Sequence, residues 1–178
     1  REYQVLTDQH IATVKSTIPL LEDAGSAITQ HFYKRMFTHN PELKDIFNMS
    51  HQHSGQQPVA LFNALAAYAK NIENLAALTA AVERIAHKHT SFDIQAHHYA
   101  IVGHHLIETL RELAGDLFTL DVEEAWTAAY KQIADIFIGR EGELYQQRAQ
   151  EVGGWQGTRP FKVVKKEAES ELVTSFTF

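Results

Sequence analysis

LAALTAAVERIAHKH, residues 75–89, has apolar side chains at the spacing of an amphipathic helix. At intervals of three or four residues, one stripe of this helix would contain Leu75, Leu78, Val82, Ile85 and His89. The last residue of an otherwise aliphatic stripe is therefore an imidazole, just before the helix is expected to end. A histidine that faces a protein core needs a partner, which can be a hydrogen-bonding group, a metal ion or a haem iron.

Two other predicted helices also contain a polar residue within an apolar stripe. Tyr99 lies in the segment Gln95–Ala114, and Glu141 lies in the long segment from Asp121 to about Arg148. A buried carboxylate is costly unless it is hydrogen-bonded or paired. One arrangement would satisfy all three groups, with Glu141 accepting hydrogen bonds from the His89 ring and the Tyr99 hydroxyl. The other ring nitrogen of His89 would then face a cavity.

Spacing alone also allows simpler interpretations of these residues. A histidine on an apolar face is more often a hydrogen-bonded core residue than a ligand, and Glu141 could pair with Arg140 or Arg148. A second pair of polar residues is found elsewhere on apolar stripes, where Tyr33 lies among aromatic residues and Gln57 begins a helix. Taken singly, they fit an aromatic core residue and an exposed first-turn residue.

The composition is that of an ordinary globular protein. The chain has 178 residues, of which 44% are hydrophobic and 21% are charged, with a formal net charge of −6 and no cysteine. The negative charge argues against nucleic acid as a partner, and the absence of cysteine excludes disulfides and thiolate ligands. No apolar run reaches the roughly 20 residues of a membrane-spanning helix, so we expect a cytoplasmic protein without stable membrane insertion.

Histidine is the one residue type that is unusually frequent, with eleven copies. His51 and His53 lie in a predicted loop and could share a metal ion, although no cysteine or carboxylate ligand is near them. His104 and His105 lie on the more polar face of their helix, where we expect both to be solvated.

Capping and helix-breaking residues predict where the first helices end. Thr7 is a candidate N-cap for the first helix, and Pro19 should break or kink it. Gly25-Ser26 predicts a further break, and Asn40-Pro41 should end the next helix.

The sequence changes character after Arg148. The glycine-rich stretch GGWQGTRP (153–160) cannot continue a helix, and FKVVKK and ELVTSFTF then predict two strands. Because two strands alone are marginal in water, we expect this tail to begin a second, β-rich domain that continues in a longer polypeptide.

Taken in order, these segments resemble the N-terminal part of the bacterial flavohaemoglobins, a family of nitric oxide dioxygenases. The similarity lies in TIPLL (17–21), HFYKRMFTHNPELKDIFNMS (31–50), LFNALAAYAKNIENL (61–75), VERIAHKHTSF (82–92), HYAIVGHHL (98–106) and IADIFIGREGELY (133–145). GGWQGTRPFKV and ESELVTSF resemble the linker and the first strands of the family's flavin-binding barrel. No single segment is diagnostic, but their order is highly specific.

The resemblance implies an all-α globin fold followed by an incomplete β-barrel FAD-binding domain. The globin haem domain would cover residues 1–148, a linker would cover 149–160, and the first strands of the barrel would cover 161–178. The FAD and NAD(P)H sites would lie in a reductase part that this chain does not contain.

The resemblance also implies the roles of several residues. His89 would be the proximal ligand of the haem b iron, with Tyr99 and Glu141 as its hydrogen-bonding partners. Tyr33 would donate a hydrogen bond to dioxygen on the distal side, assisted by Gln57.

Three further residues would complete the haem pocket. Leu61 would narrow the distal side, Phe47 would pack on the haem face, and Lys88 would approach a haem propionate.

The implied reaction joins dioxygen and nitric oxide to give nitrate, with electrons from NAD(P)H through FAD, in a protein that we expect to be monomeric. An alternative is a single-domain bacterial haemoglobin that binds or carries O2, against which the linker and the strands argue. A third hypothesis is a haem-free helical module that uses its histidines for metal or protein contacts.

Overall fold

The computed structural model of the chain describes residues 6–47 and 57–178, and for residues 57–60 it describes the backbone alone. Six α-helices lie in this part of the chain: α1 (Asp8–Ser16), α2 (Ile18–His39), α3 (Gln57–Lys70), α4 (Thr79–Ser91), α5 (Ala96–Ala114) and α6 (Leu120–Gln150). Three 3-10 helices cover Pro41–Asp45, Leu75–Leu78 and Gly115–Leu117. Two antiparallel strands, β1 (Lys165–Ala168) and β2 (Thr174–Thr177), form a hairpin. Within the described ranges, no helix is both long and apolar enough to cross a membrane.

The chain divides into two compact units, residues 1–144 and 145–178. Helix α6 begins in the first unit and ends in the second, so the domain boundary expected at residue 148 lies within the same helix.

The main core of the first unit lies where α2 packs against α3 and α5. Phe32, Met36, Tyr68 and Leu106 are almost completely buried there. Burial of one large apolar side chain contributes about 1.5–3 kcal/mol, so this shared surface is the main source of stability. These helices also contain half of the residues that the sequence assigns to the site, namely Tyr33, Gln57, Leu61 and Tyr99.

Thr7 caps α1 as the sequence predicts. Its hydroxyl accepts a hydrogen bond from the His10 backbone N–H at 3.1 Å, and the His10 ring accepts one from the Thr7 N–H at 3.4 Å. The predicted break near Pro19 is found at Thr17. Helix α2 begins at Ile18, so Pro19 lies in its first turn, where a missing N–H costs no helical hydrogen bond.

The predicted break at Gly25-Ser26 is wrong, because α2 is continuous from Ile18 to His39. Gly25 is buried against α3, and a Cβ atom at this position would lie 2.8 Å from Cε1 of Phe62. The glycine therefore permits the close approach of two helices. A glycine with this role interrupts the hydrophobic pattern without ending the helix.

The segment 75–89 is not one helix. Leu75–Leu78 forms a 3-10 helix, and α4 starts only at Thr79. Leu75 and Leu78 pack against the main core, whereas Val82 and Ile85 pack against a second, smaller cluster. The predicted stripe is thus divided between two groups of apolar side chains.

The smaller cluster has Ala86, Phe137 and Leu144 as its buried members, with Tyr99 packed against it. It joins α4 to α6 at the end of α4 that contains His89. The second half of the stripe therefore directs His89 toward α6, as the phase of the helix predicts.

The two predicted strands are present, but they pair over a shorter range. Lys166 pairs with Phe176, and all residues of β1 and β2 are exposed. The Glu169 N–H donates to the Val173 carbonyl at 2.9 Å, which places the chain reversal at 169–173. Residues that were predicted to begin the second strand therefore form the turn.

His105 is only 2% exposed, so its predicted solvation is wrong. Its Nδ1 accepts a hydrogen bond from Arg35 Nη1 at 2.7 Å, and its Nε2–H donates to Asn40 Oδ1 at 2.8 Å. Arg35 also donates through Nε to Glu112 at 3.1 Å. Burial, followed by the nearby Arg35 charge, lowers the pKa of His105. The adjacent His104 remains exposed, as predicted.

We expect His105 to make the stability of the protein depend on pH. The lowered pKa means that the unfolded chain binds more protons than the folded chain below the ordinary histidine pKa of about 6.5. The stabilisation is fully present above that pH and is lost as the pH falls through the folded-state pKa. His105→Gln replaces the imidazole with an amide, which is polar but cannot titrate. In urea unfolding between about pH 7 and pH 5, the free energy of unfolding should therefore depend less steeply on pH.

His104→Gln is the matched control, because it removes the exposed neighbour and leaves the buried ring in place. It should keep most of the pH dependence of the unsubstituted chain, because the His104 charge contributes less to the lowered pKa of His105 than burial and the Arg35 charge do. An equally steep dependence in His105→Gln would contradict the assignment.

Candidate haem-binding site

His89 lies in the last turn of α4 and meets Tyr99 of α5 and Glu141 of α6. Its Nδ1 is 2.8 Å from Glu141 Oε1 and 2.9 Å from the Tyr99 hydroxyl oxygen. The Tyr99 hydroxyl donates to the same Glu141 oxygen at 2.6 Å. The structure thus contains the hydrogen-bonded set of three residues that was one of the arrangements compatible with the helical phases.

This arrangement determines which nitrogen of His89 is available to a ligand. Glu141 is only 3% exposed, and its oxygen accepts from both neighbours, so the proton of the neutral imidazole lies on Nδ1. Nε2 then has a free lone pair, and the His89 side chain remains 34% exposed. A carboxylate behind an imidazole fixes the tautomer and raises the basicity of the ring.

Arg140 pairs with Glu83 and not with Glu141, so the simpler alternative suggested by the sequence is not found. Its Nε and Nη2 donate to the two carboxylate oxygens of Glu83, each at 2.7 Å. Its Nη1 donates to Glu143 at 2.8 Å. This bidentate ion pair joins α6 to α4 beside the site. The hydrogen bonds from Arg140 lower the pKa of Glu83 to about 2.

Apolar groups shield the three polar residues. The Phe137 ring centroid lies 5.7 Å from that of His89 and 6.3 Å from that of Tyr99. Ala86 and Leu144 are buried in the same small cluster. In such a medium of low dielectric constant, a hydrogen bond to a carboxylate is stronger than in water.

Tyr33 lies in α2, on the main core, and is 6% exposed. Its ring is surrounded by those of Phe32, Phe37 and Phe47, at centroid distances of 5.1, 5.8 and 5.8 Å. Among the described residues, its hydroxyl has no hydrogen-bond partner, and burial raises its pKa to about 12. Tyr33 is therefore a protonated donor that is available to a ligand.

The other predicted site residues are placed as follows. Phe47 packs edge-on against Tyr33, and Leu61 lies in α3 beside Phe32, lining a small apolar cavity of about 10 Å³. Lys88 is exposed next to His89 and forms no ion pair within the described part of the chain. Their roles toward a haem stay predictions.

The side chain of Gln57 lies outside the described residues, although its backbone begins α3. His51 and His53 also lie outside them, so their suggested metal site stays a prediction. In residues 6–47 and 57–178, no group of three or more histidine and carboxylate side chains could hold a metal ion.

A helical core with a histidine at a helix end, backed by polar groups of two further helices, defines the class of protein as a globin. Residues 30–137 match the Globin family model, and the chain belongs to this family.

The chain is also similar to a particular kind of globin-containing protein. It is 69% identical, over 172 residues, to the flavohemoprotein of Vibrio cholerae serotype O1. The match covers 97% of this chain and 44% of that protein, so the chain spans less than half the length of its relative.

Two solved structures are also similar to this chain. The flavohemoglobin of Malassezia yamatoensis with bound FAD and haem superposes with a TM-score of 0.81 at 29% identity, covering 96% of this chain and 44% of that one. An engineered carbene transferase from a candidate nitric oxide dioxygenase of Rhodothermus marinus superposes with a TM-score of 0.76 at 29% identity, covering 82% and 100%. The predicted resemblance is confirmed, as is the fold class of a globin followed by strands like those that begin an FAD domain.

The pair of Arg140 and Glu83 gives a direct test of the site's surroundings. Arg140→Gln removes the main cause of the low pKa of Glu83, which should rise from about 2 toward its ordinary value of 4.5. An NMR titration of the Glu83 carboxyl measures this change.

Arg84→Gln is the control, since it removes an exposed arginine next to Glu83 that forms no described ion pair. The pKa of Glu83 should not respond to it. If the Glu83 carboxyl still titrates near pH 2 in Arg140→Gln, then Arg140 is not the cause of its lowered pKa.

Proposed function

We propose that this chain is the haem domain of a flavohaemoglobin-type nitric oxide dioxygenase. The observation that supports this most directly is the hydrogen-bonded set of His89, Tyr99 and Glu141 in a chain 69% identical to a flavohemoprotein. The complete protein would convert nitric oxide and dioxygen to nitrate, with electrons from NAD(P)H through FAD.

The described residues fit a haem b group. His89 offers an imidazole nitrogen with a free lone pair, and Tyr33 offers a buried hydroxyl that no described residue occupies. When bound, haem supplies an iron that takes diatomic ligands and changes its oxidation state. Phe47 and Leu61 would line the pocket, and Lys88 would meet a propionate.

On the proximal side, Glu141 accepts a hydrogen bond from His89 Nδ1–H, with Oε1 at 2.8 Å from Nδ1, and gives the ring a partly anionic character. The Tyr99 hydroxyl orients the carboxylate by donating to the same oxygen. Electron density is thereby displaced toward Nε2 and toward the haem iron that this nitrogen would bind.

On the distal side, Tyr33 provides a neutral hydrogen-bond donor. Its pKa of about 12 keeps the hydroxyl protonated at physiological pH. Aromatic neighbours exclude water, so a hydrogen bond to a ligand that gains negative charge is strong there. Gln57 would assist this donor, an assignment that rests on the family resemblance.

The ligands and partners follow from the same proposal. Dioxygen and nitric oxide would be the small-molecule ligands, and reducing equivalents would arrive from NAD(P)H through FAD. The cytoplasmic location and the monomeric state are also part of this proposal.

Turnover distinguishes a dioxygenase from an oxygen carrier. The oxygenated ferrous protein is mixed with excess nitric oxide while a flavin reductase and NADH are supplied, and nitrate is assayed. We expect many nitrate molecules per haem. Nitrate that stops at one molecule per haem would favour the carrier, and a protein that shows no Soret band when haem is supplied would favour the haem-free module.

Glu141→Gln should weaken the interaction behind His89 without removing haem. An amide is a weaker acceptor than a carboxylate, so the ring becomes a weaker electron donor. Resonance Raman spectra should show a lower iron–histidine stretching frequency.

The exposed neighbour Glu143 provides the control for this change, as Glu143→Gln. Its frequency should match that of the unsubstituted protein. An unchanged frequency in Glu141→Gln would show that Glu141 does not influence the bond between His89 and iron.

Tyr33→Phe should remove the distal donor while keeping the ring. A hydrogen bond to a charged group contributes about 1.5–3 kcal/mol, which corresponds to roughly 10- to 100-fold faster dissociation of dioxygen. Flash photolysis or stopped-flow mixing measures this rate.

Tyr68→Phe is the matched control, because Tyr68 is another buried tyrosine, and its hydroxyl donates to Gln132 at 2.8 Å. It should leave the rate unchanged. Equal dissociation rates in the Tyr33 and Tyr68 variants would show that Tyr33 is not a hydrogen-bond donor to dioxygen.

A further inference from the structure

We propose that His105 is a positioning residue for Tyr33, acting through Asn40 and the turn that places Phe47 against the Tyr33 ring. The inference rests on the proposed function, because Tyr33 is the proposed distal donor. It assigns a role to a buried histidine that the proposed mechanism does not use.

The hydrogen bonds of His105 form a chain in which every donor is determined. An arginine side chain has no acceptor and stays charged, so Arg35 donates to Nδ1 of His105 at 2.7 Å. The proton of the neutral ring is then on Nε2, which donates to Asn40 Oδ1 at 2.8 Å. The Asn40 amide donates in turn to Glu42 Oε1 at 2.9 Å. The chain begins at a cation and ends at a carboxylate, so its bonds polarise and strengthen one another.

Asn40 is the point at which this chain acts on the backbone. Its N–H donates to the Met36 carbonyl at 2.7 Å, where α2 ends. Its own carbonyl accepts from the Leu43 N–H at 3.2 Å, within the 3-10 helix that follows. The Phe47 N–H then donates to the Leu43 carbonyl at 3.0 Å. By holding Asn40, His105 therefore fixes the direction in which the chain leaves α2 and the place that Phe47 reaches.

Phe47 connects this turn to the proposed distal donor. Its ring centroid lies 5.8 Å from that of Tyr33, in an edge-on arrangement, and 5.8 Å from that of Phe37. Since no group in the described ranges accepts a hydrogen bond from the Tyr33 hydroxyl, the packing of the rings is what fixes its direction. A shift of Phe47 therefore changes the direction of the hydroxyl as well.

The charged and titratable groups around His105 show which protonation state the chain of hydrogen bonds requires. Those on the elements that face it are Arg35 and His39 of α2, His104, Glu108 and Glu112 of α5, and Glu42 of the 3-10 helix. A protonated ring would present an N–H to Arg35 in place of an acceptor, and two cations would face each other. Burial, followed by the Arg35 charge, lowers the pKa of His105, which keeps the ring neutral at neutral pH.

The haem-loaded chain tests this inference through the release of dioxygen. His105→Phe keeps a ring but removes both nitrogens. At about pH 8, where the native ring is neutral, this variant should release dioxygen roughly 2- to 10-fold faster, which corresponds to the weakening of one hydrogen bond. The infrared C–O stretching band of the carbon monoxide complex should move to higher wavenumber, toward that of Tyr33→Phe. The iron–histidine stretching frequency should stay unchanged, because the proximal side is not involved.

The pH profile separates positioning from a general structural effect. In the unsubstituted chain, release should be slow above the ordinary histidine pKa of about 6.5 and should accelerate as the pH falls through the lowered pKa of His105. His105→Phe should release dioxygen fast at every pH, without this step. His104→Gln is the matched control, since it removes the exposed neighbour. It should keep both the slow release at about pH 8 and the step.

Two further variants show whether the effect follows the proposed route. Asn40→Ala removes the acceptor of His105 at a half-buried position, so it should also give fast release without the step. It is the test if His105→Phe does not fold. In a Tyr33→Phe background, His105→Phe should cause no further acceleration, because the hydroxyl that it misplaces is already absent.

Several results would overturn the inference. Unchanged release and an unchanged C–O band in His105→Phe or Asn40→Ala would do so, as would a pH step that persists in either variant. Full additivity with Tyr33→Phe would show that His105 does not act through Tyr33. None of these readouts depends on nitrate production, so they can fail while the dioxygenase proposal stands. An unsubstituted chain that binds no haem would contradict the proposed function and this inference together.

Discussion

The hydrogen bond between Glu141 and His89 is the interaction on which the organisation of the site depends. A carboxylate that is 3% exposed must be satisfied by donors, because burying a charge without them would cost several kcal/mol. The donors are His89 and Tyr99, at 2.8 and 2.6 Å, and they come from two other helices. The three helices must therefore pack so that the His89 and Tyr99 side chains both reach one oxygen atom of Glu141. The position of the His89 imidazole follows from this requirement.

Several weaker contacts hold the three helices in this arrangement. The ion pair of Arg140 and Glu83 joins α6 to α4, and the Tyr130 hydroxyl joins α6 to the backbone of α5. The ion pair is near the surface, where such pairs contribute little stability, so its main effect is on geometry. The small apolar cluster around Phe137 fills the space between α4 and α6. Together these contacts hold α4 and α5 in place relative to α6, the helix that contains Glu141.

The sequence points to the polar residues of the proposed proximal side because they interrupt apolar stripes. The phases of His89, Tyr99 and Glu141 place them on inward faces, and burial then requires them to meet. Gly25 and His105 were misinterpreted for a common reason. Gly25 is covered by the Phe62 ring of another helix, and His105 is hydrogen-bonded to Arg35 and Asn40, which are distant in the sequence. Such tertiary contacts override local patterns and leave no periodic signal.

The two sides of the proposed haem pocket differ in electrostatic character, and this difference has a physical reason. Glu141 places a negative charge behind His89, which favours transfer of electron density toward the ligand. A cationic donor on the distal side would stabilise that density as well, but burying an isolated cation costs more than burying a hydroxyl. Tyr33, with its pKa raised to about 12, gives a donor that adds no charge and does not ionise. A charged base behind the ligand and a neutral donor in front of it are therefore the combination that a water-poor pocket can hold at the lowest cost.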